Sequence, residues 1–160
     1  IGGCLGLSLT DYFAKKVVGF VGISSAIPTS GNSFISCLPF PQSLLMPLIL
    51  NLFGTKPPQK VIEQTLCNDL TSEQTSEIIK RFTPEAKLLY TTKINYKILD
   101  LKKLYIKLTN DKGFPVQLQD KMIKNLTTQK VVTLDGGHLP MISKPKELSD
   151  ILNNFIKEIN

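Results

Sequence analysis

Three places in the sequence combine residue types that could carry out acyl transfer. The first is Gly2-Gly3-Cys4-Leu5-Gly6, which has the form Gly-x-nucleophile-x-Gly and leads into a helix-compatible segment. A nucleophile on a sharp strand-to-helix turn adopts a strained backbone, and small residues two positions either side relieve the clashes. At the positive end of a helix the thiol of Cys4 would ionise more readily, enlarging its reactive thiolate fraction. The Leu5 N–H would then be one donor to a tetrahedral oxyanion. The same five residues also read as a glycine-rich turn around a buried, inert cysteine. The second place is His138, the single histidine, set just after Asp135-Gly136-Gly137. A lone histidine is often structural, but this one follows a strand-like run, and α/β sheets place their chemistry on such loops. The third is Asp111, between Leu108 and Gly113. It reads either as a turn aspartate or as the acid that orients a histidine and stabilises its charged form.

The elements around these residues point to an α/β architecture. Residues 5–15 are helix-compatible, and the apolar run Val17–Ala26 suits a strand buried on both faces of a parallel sheet. Residues 33–95 differ in character: Pro39, Pro41, Pro47, Pro57 and Pro58 divide them into short pieces. Gln42–Phe53 and Lys60–Leu66 read as short helices, and Thr71 with Gln74 forms a capping box ahead of a third. Such a section suits a helical lid over a sheet, with Phe40, Leu44, Leu45, Leu48, Ile49, Leu52 and Phe53 lining or covering an apolar pocket. Lys103–Leu108 and Lys130–Leu134 read as strands separated by a helix over Pro115–Leu126. A last helix starts near Pro145 and puts Leu148, Ile151, Leu152, Phe155, Ile156 and Ile159 on one face. Strands alternating with helices imply parallel pairing through crossover connections. Cys4, Asp111 and His138 thus stand in the order nucleophile, acid, base, the order of an α/β-hydrolase triad.

Composition narrows the possibilities further. A chain of 160 residues with 42% hydrophobic and 20% charged residues fits one folded domain over residues 1–160. The net charge of +6 would allow a nucleic-acid-binding protein, yet the lysines are dispersed and Arg81 is the sole arginine, so a solvated basic surface with no nucleic-acid partner is expected. Cys4, Cys37 and Cys67 make an odd count without CxxC spacing, which favours neither a disulfide framework nor a zinc site and suggests a cytoplasmic setting. The most apolar later stretch, Leu44–Phe53, is too short for a membrane span. The chain opens on Ile1 and a glycine-rich turn rather than on methionine, so an N-terminally truncated unit is expected.

Particular residues resemble a known family. Leu104–Pro115, then Gln119 and Met122, then Val131–Pro145 with Glu147 and Leu148, are similar to the C-terminal half of one α/β-hydrolase group. That group holds the plant methyl esterases (salicylic acid-binding protein 2-like), the hydroxynitrile lyases and related microbial esterases. Val18–Pro28 resembles the strand after the elbow, and Cys67-Asn68-Asp69-Leu70 the cap of microbial members. The resemblance implies an α/β-hydrolase fold with a helical cap at about 33–95, and hydrolysis of small carboxylic esters without cofactor or metal. Asp111 matches the family's triad aspartate and His138 its histidine, while Cys4 falls on the serine position, as in the cysteine-dependent dienelactone hydrolases. The lyases carry lysine directly after the histidine, where this chain has Leu139, which disfavours cyanohydrin cleavage. The alternative is a catalytically inactive binding or interaction protein on the same fold.

Overall fold

The computed structural model describes residues 1–97, 100–128 and 130–159, leaving aside the side chain of Asp11. Helix α1 (Gly2–Tyr12) leads into strand β1 (Gly19–Ile23). A 3-10 turn (Phe34–Cys37) and helices α2 (Gln42–Phe53), α3 (Gln59–Thr65), α4 (Ser72–Arg81) and α5 (Leu88–Thr91) follow as an insert. An antiparallel bridge between Asn32 and Ile94 brings the two ends of that insert together. Then come β2 (Lys102–Leu108), α6 (Val116–Leu126), β3 (Val131–Leu134), a single turn α7 (Pro140–Ser143) and α8 (Pro145–Ile159).

Among the described residues, three strands form a sheet in the order β1-β2-β3 with both pairings parallel, Gly19 opposite Lys102 and Tyr105 opposite Val131. The central strand must therefore be apolar on both faces, and its alternation sorts the core into two layers. Leu104, Ile106 and Leu108 point to one side, where Leu148 and Phe155 of α8 cover them. Tyr105 points to the other, where Cys4 and Leu7 of α1 and Met122 and Leu126 of α6 pack. The apolar stripe expected of the last helix is the surface that closes the first layer.

Two element boundaries differ from the sequence expectation, and both bear on the site. Strand β1 ends at Ile23 because Ser24 adopts φ 39°, a left-handed conformation that a strand cannot continue through. Helix α1 starts at Gly2 instead of residue 5, so Cys4 lies inside the helix and not on a turn ahead of it. The glycines there serve packing. A methyl group on Gly3 would run into the Ala26 carbonyl, and one on Gly6 would meet the Phe20 ring at 3.1 Å. Gly3 and Gly6 lie one turn apart on the face turned to β1, letting helix and strand approach closely. Gly3→Ala should lower thermal stability by about 2 kcal/mol, read as a drop in Tm, despite alanine's better helix propensity.

The apolar residues of the insert also fall differently from expectation. Leu50 is the one residue of α2 that is buried, whereas Leu44, Leu48, Leu52 and Phe53, with Phe40 just ahead, are well exposed. They do not line the cleft beside His138 described below.

Candidate active site

Asp111 and His138 arrive on neighbouring loops because β2 and β3 are adjacent and parallel, so their C-terminal ends open on the same edge. His138 Nδ1 lies 2.7 Å from Asp111 Oδ2. The aspartate side chain is wholly buried, and each of its oxygens is satisfied: Oδ1 accepts the Phe114 N–H at 2.7 Å, and Oδ2 also accepts the Ser24 hydroxyl at 2.6 Å. Three donors offset the lost hydration of a buried carboxylate. An ionised carboxylate only accepts, so the imidazole proton sits on Nδ1 and the Nε2 lone pair is left to take a proton. That ring remains one-third exposed and borders a cleft of about 350 Å³. The cleft is also lined by the head of α1, namely Ile1, Gly2 and Gly3, and by Ser24 and Ser25.

Cys4 is not at this cleft. Its side chain is buried among Leu7, Ala26, Ile27, Cys37 and Met122, and its thiol points to the Ala26 carbonyl at 3.8 Å. Burial pushes the thiol up from its ordinary value, the reverse of the activation expected of an elbow cysteine. The physical reason is rotational: position 4 shares the inner face of α1 with Leu7, while the cleft is bounded by residues 1–3 and Gly6. Leu5 is likewise displaced from its expected role, since its N–H bonds the Ile1 carbonyl within the helix. Cys37 is pushed up to about 12, chiefly by burial. Cys4 and Cys37 should therefore resist a thiolate-specific reagent at pH 8 in the native state, and release of 5-thio-2-nitrobenzoate should accompany unfolding instead.

Several residues that position the pair were not singled out from the sequence for that role. Ser24 closes an apolar run, and only its left-handed backbone aims the hydroxyl at Asp111. Gln119 is fully buried, accepts the Leu108 N–H at 2.9 Å and donates to the carbonyls of Leu108 and Phe114, each at 2.8 Å. It thereby staples both ends of the loop that carries Asp111. A signal existed: Gln119 interrupts the apolar stripe that Met122 and Leu126 continue, and a polar residue there must find internal partners.

No family model matches the chain. Norfluorocurarine synthase 2 of Strychnos nux-vomica is 38% identical over 60 residues, covering 37% of this chain and 23% of that protein. The Arabidopsis thaliana protein named "Putative methylesterase 13, chloroplastic" is 28% identical over 171 aligned positions, covering 94% of this chain and 37% of its own length. An extracellular α/β-hydrolase from a Paenibacillus species superposes with a TM-score of 0.85 at 18% identity, over 96% of this chain and 67% of that one. A methylesterase from Arabidopsis gives 0.74 at 17% identity, over 98% and 66%. The chain spans little more than a third, or less, of these curated relatives and about two thirds of the solved chains. The chain therefore has the α/β-hydrolase fold.

Proposed function

We propose that the protein containing this chain hydrolyses carboxylic esters of small molecules, with His138 as general base and Asp111 as the residue that orients it. The observation carrying this is the 2.7 Å contact between Asp111 and the cleft-facing His138 at the ends of adjacent parallel strands. The esterases and methylesterases among similar proteins support the same reaction class. His138 Nε2 would take the proton of the attacking group, return it to the leaving alcohol, and then activate water to release the acid. Cys4, buried away from the cleft with its thiol toward the Ala26 carbonyl, is not assigned the nucleophile's part, and the amides at the head of α1, which lines the cleft, would be the oxyanion donors in place of Leu5. The substrate is a small-molecule ester, and no cofactor, metal or nucleic acid enters the scheme. Three free, buried cysteines support a reducing, cytoplasmic location.

The test is turnover of 4-nitrophenyl acetate by the full-length protein. Hydrolysis by wild type and by Cys4→Ala, with rates within about threefold of each other, is the expected result. Loss of turnover in Cys4→Ala with rescue by Cys4→Ser would return the nucleophile to Cys4. No turnover by wild type would favour the inactive, ligand-binding alternative on the same fold.

A further inference from the structure

The two catalytic side chains sit on separate loops, and the helical insert grips each loop at the residue just before its catalytic member. Asn68 and Asp69 follow α3, in a segment whose Cys67 is buried and whose backbone turns back through a Leu70 N–H to Cys67 carbonyl bond. The Asn68 side-chain amide donates to the carbonyl of Asn110, next to Asp111, at 2.9 Å. Asp69 Oδ2 accepts the N–H of Gly137, next to His138, at 2.6 Å. The loops are also tied to one another. The Asn110 N–H reaches the Gly136 carbonyl at 3.1 Å, and Asp135 Oδ1 accepts from the Thr109 hydroxyl and the Asn110 amide at 2.7 and 2.6 Å. These cross-ties set the loops side by side, and the pair from the insert adds an anchor from outside the sheet. The fit at Gly137 is close: an added methyl would run into the Asp69 carboxylate and meet Asn68 Oδ1 at 3.1 Å.

We propose that Asn68 and Asp69 are positioning residues that couple docking of the helical insert to the alignment of Asp111 with His138. A hydrogen bond as short as that between Nδ1 and Oδ2 is directional, so a shift of either loop by an ångström removes it. When the insert is seated, both residues before the pair are held. When it lifts, each loop loses its outer anchor and the pair loosens. Seating of the insert thus completes the base.

The proposal rests on the esterase reading for its kinetic readout alone. In the full-length protein, Asp69→Ala should lower kcat for 4-nitrophenyl acetate about tenfold with KM within about twofold, since misplacement and not substrate binding is at fault. It should also broaden the downfield proton resonance of the His138 Nδ1–H, which a purely structural role elsewhere would leave sharp. Asp69→Asn, whose amide oxygen can still accept from Gly137, should restore most of both signals. Unchanged kcat and an unchanged resonance in Asp69→Ala would overturn the proposal. If wild type turns over no ester, the esterase reading falls, and the resonance alone then decides: broadening supports the clamp and a sharp line removes it. Should Asp69→Ala fail to fold, Asn68→Ala is read by the same criteria.

Discussion

Asp111→Asn in the full-length protein is expected to lower kcat for a small ester by about 10⁴-fold while leaving the fold in place. The size of the effect follows from the proton inventory. Asp111 Oδ1 accepts the Phe114 N–H, and that bond would hold the asparagine with its oxygen on the same side. Its amide nitrogen would then face His138 Nδ1 and the Ser24 hydroxyl, the two groups that now meet Oδ2. An amide that donates to Nδ1 forces the imidazole proton onto Nε2, which removes the lone pair from the cleft. The base is lost although every heavy atom keeps its place. Stopped-flow or steady-state assays with 4-nitrophenyl acetate measure this, alongside a circular dichroism melt. A loss under tenfold with an intact fold would mean that His138 does not act through Asp111. Ser24→Ala removes only one of three donors to the carboxylate, so a much smaller loss is expected there.

Gln119→Ala should be the most destabilising single change near the site, by about 3 kcal/mol. The side chain is fully buried and satisfies one backbone N–H and two carbonyls that bracket the Asp111 loop. Alanine would leave these groups dry and unpaired, and would open a void against Met122 and Leu126, the other buried residues of α6. Gln119→Glu should be no better, because a carboxylate cannot donate to the two carbonyls and would bury a charge. Chemical denaturation gives the difference through the midpoint at constant slope. A change below 1 kcal/mol for Gln119→Ala would show that water or loop relaxation replaces these bonds. Activity should fall together with stability in this variant, since the same three bonds hold the loop that carries the acid.

The elements themselves were largely legible in the sequence. Helix α8, strands β2 and β3 and helix α6 lie within a residue or two of their expected bounds. Each carries a strong local signal, such as the apolar period of α8 or proline ahead of the first turn of α6. The parallel order also followed, because a crossover helix leaves few other ways to join consecutive strands. The Asp111–His138 pair was anticipated for the same reason: both residues stand just past the ends of neighbouring parallel strands.

Cys4 shows where local pattern stops being informative. A pattern of glycines around a cysteine does not say which way the backbone turns, and two contacts decided it. Gly3 is needed where α1 meets the Ala26 carbonyl and Gly6 where it meets Phe20, so the spacing that suggested a nucleophile turn belongs to helix–strand packing. Once the helix begins at Gly2, position 4 faces the core and burial raises its thiol. The exposed side chains of α2 show the same limit, since an apolar helix does not specify which surface it will meet. The α/β order of elements and the meeting of Asp111 with His138 can be read from the residues in order, because local periodicity and strand-end position are written into neighbouring residues. Where Cys4 points, that the Ser24 hydroxyl reaches Asp111, and how Asn68 and Asp69 reach the loops of Asp111 and His138 emerge only in the folded chain. Those outcomes depend on contacts between residues 20 to 90 positions apart, and no local pattern encodes them.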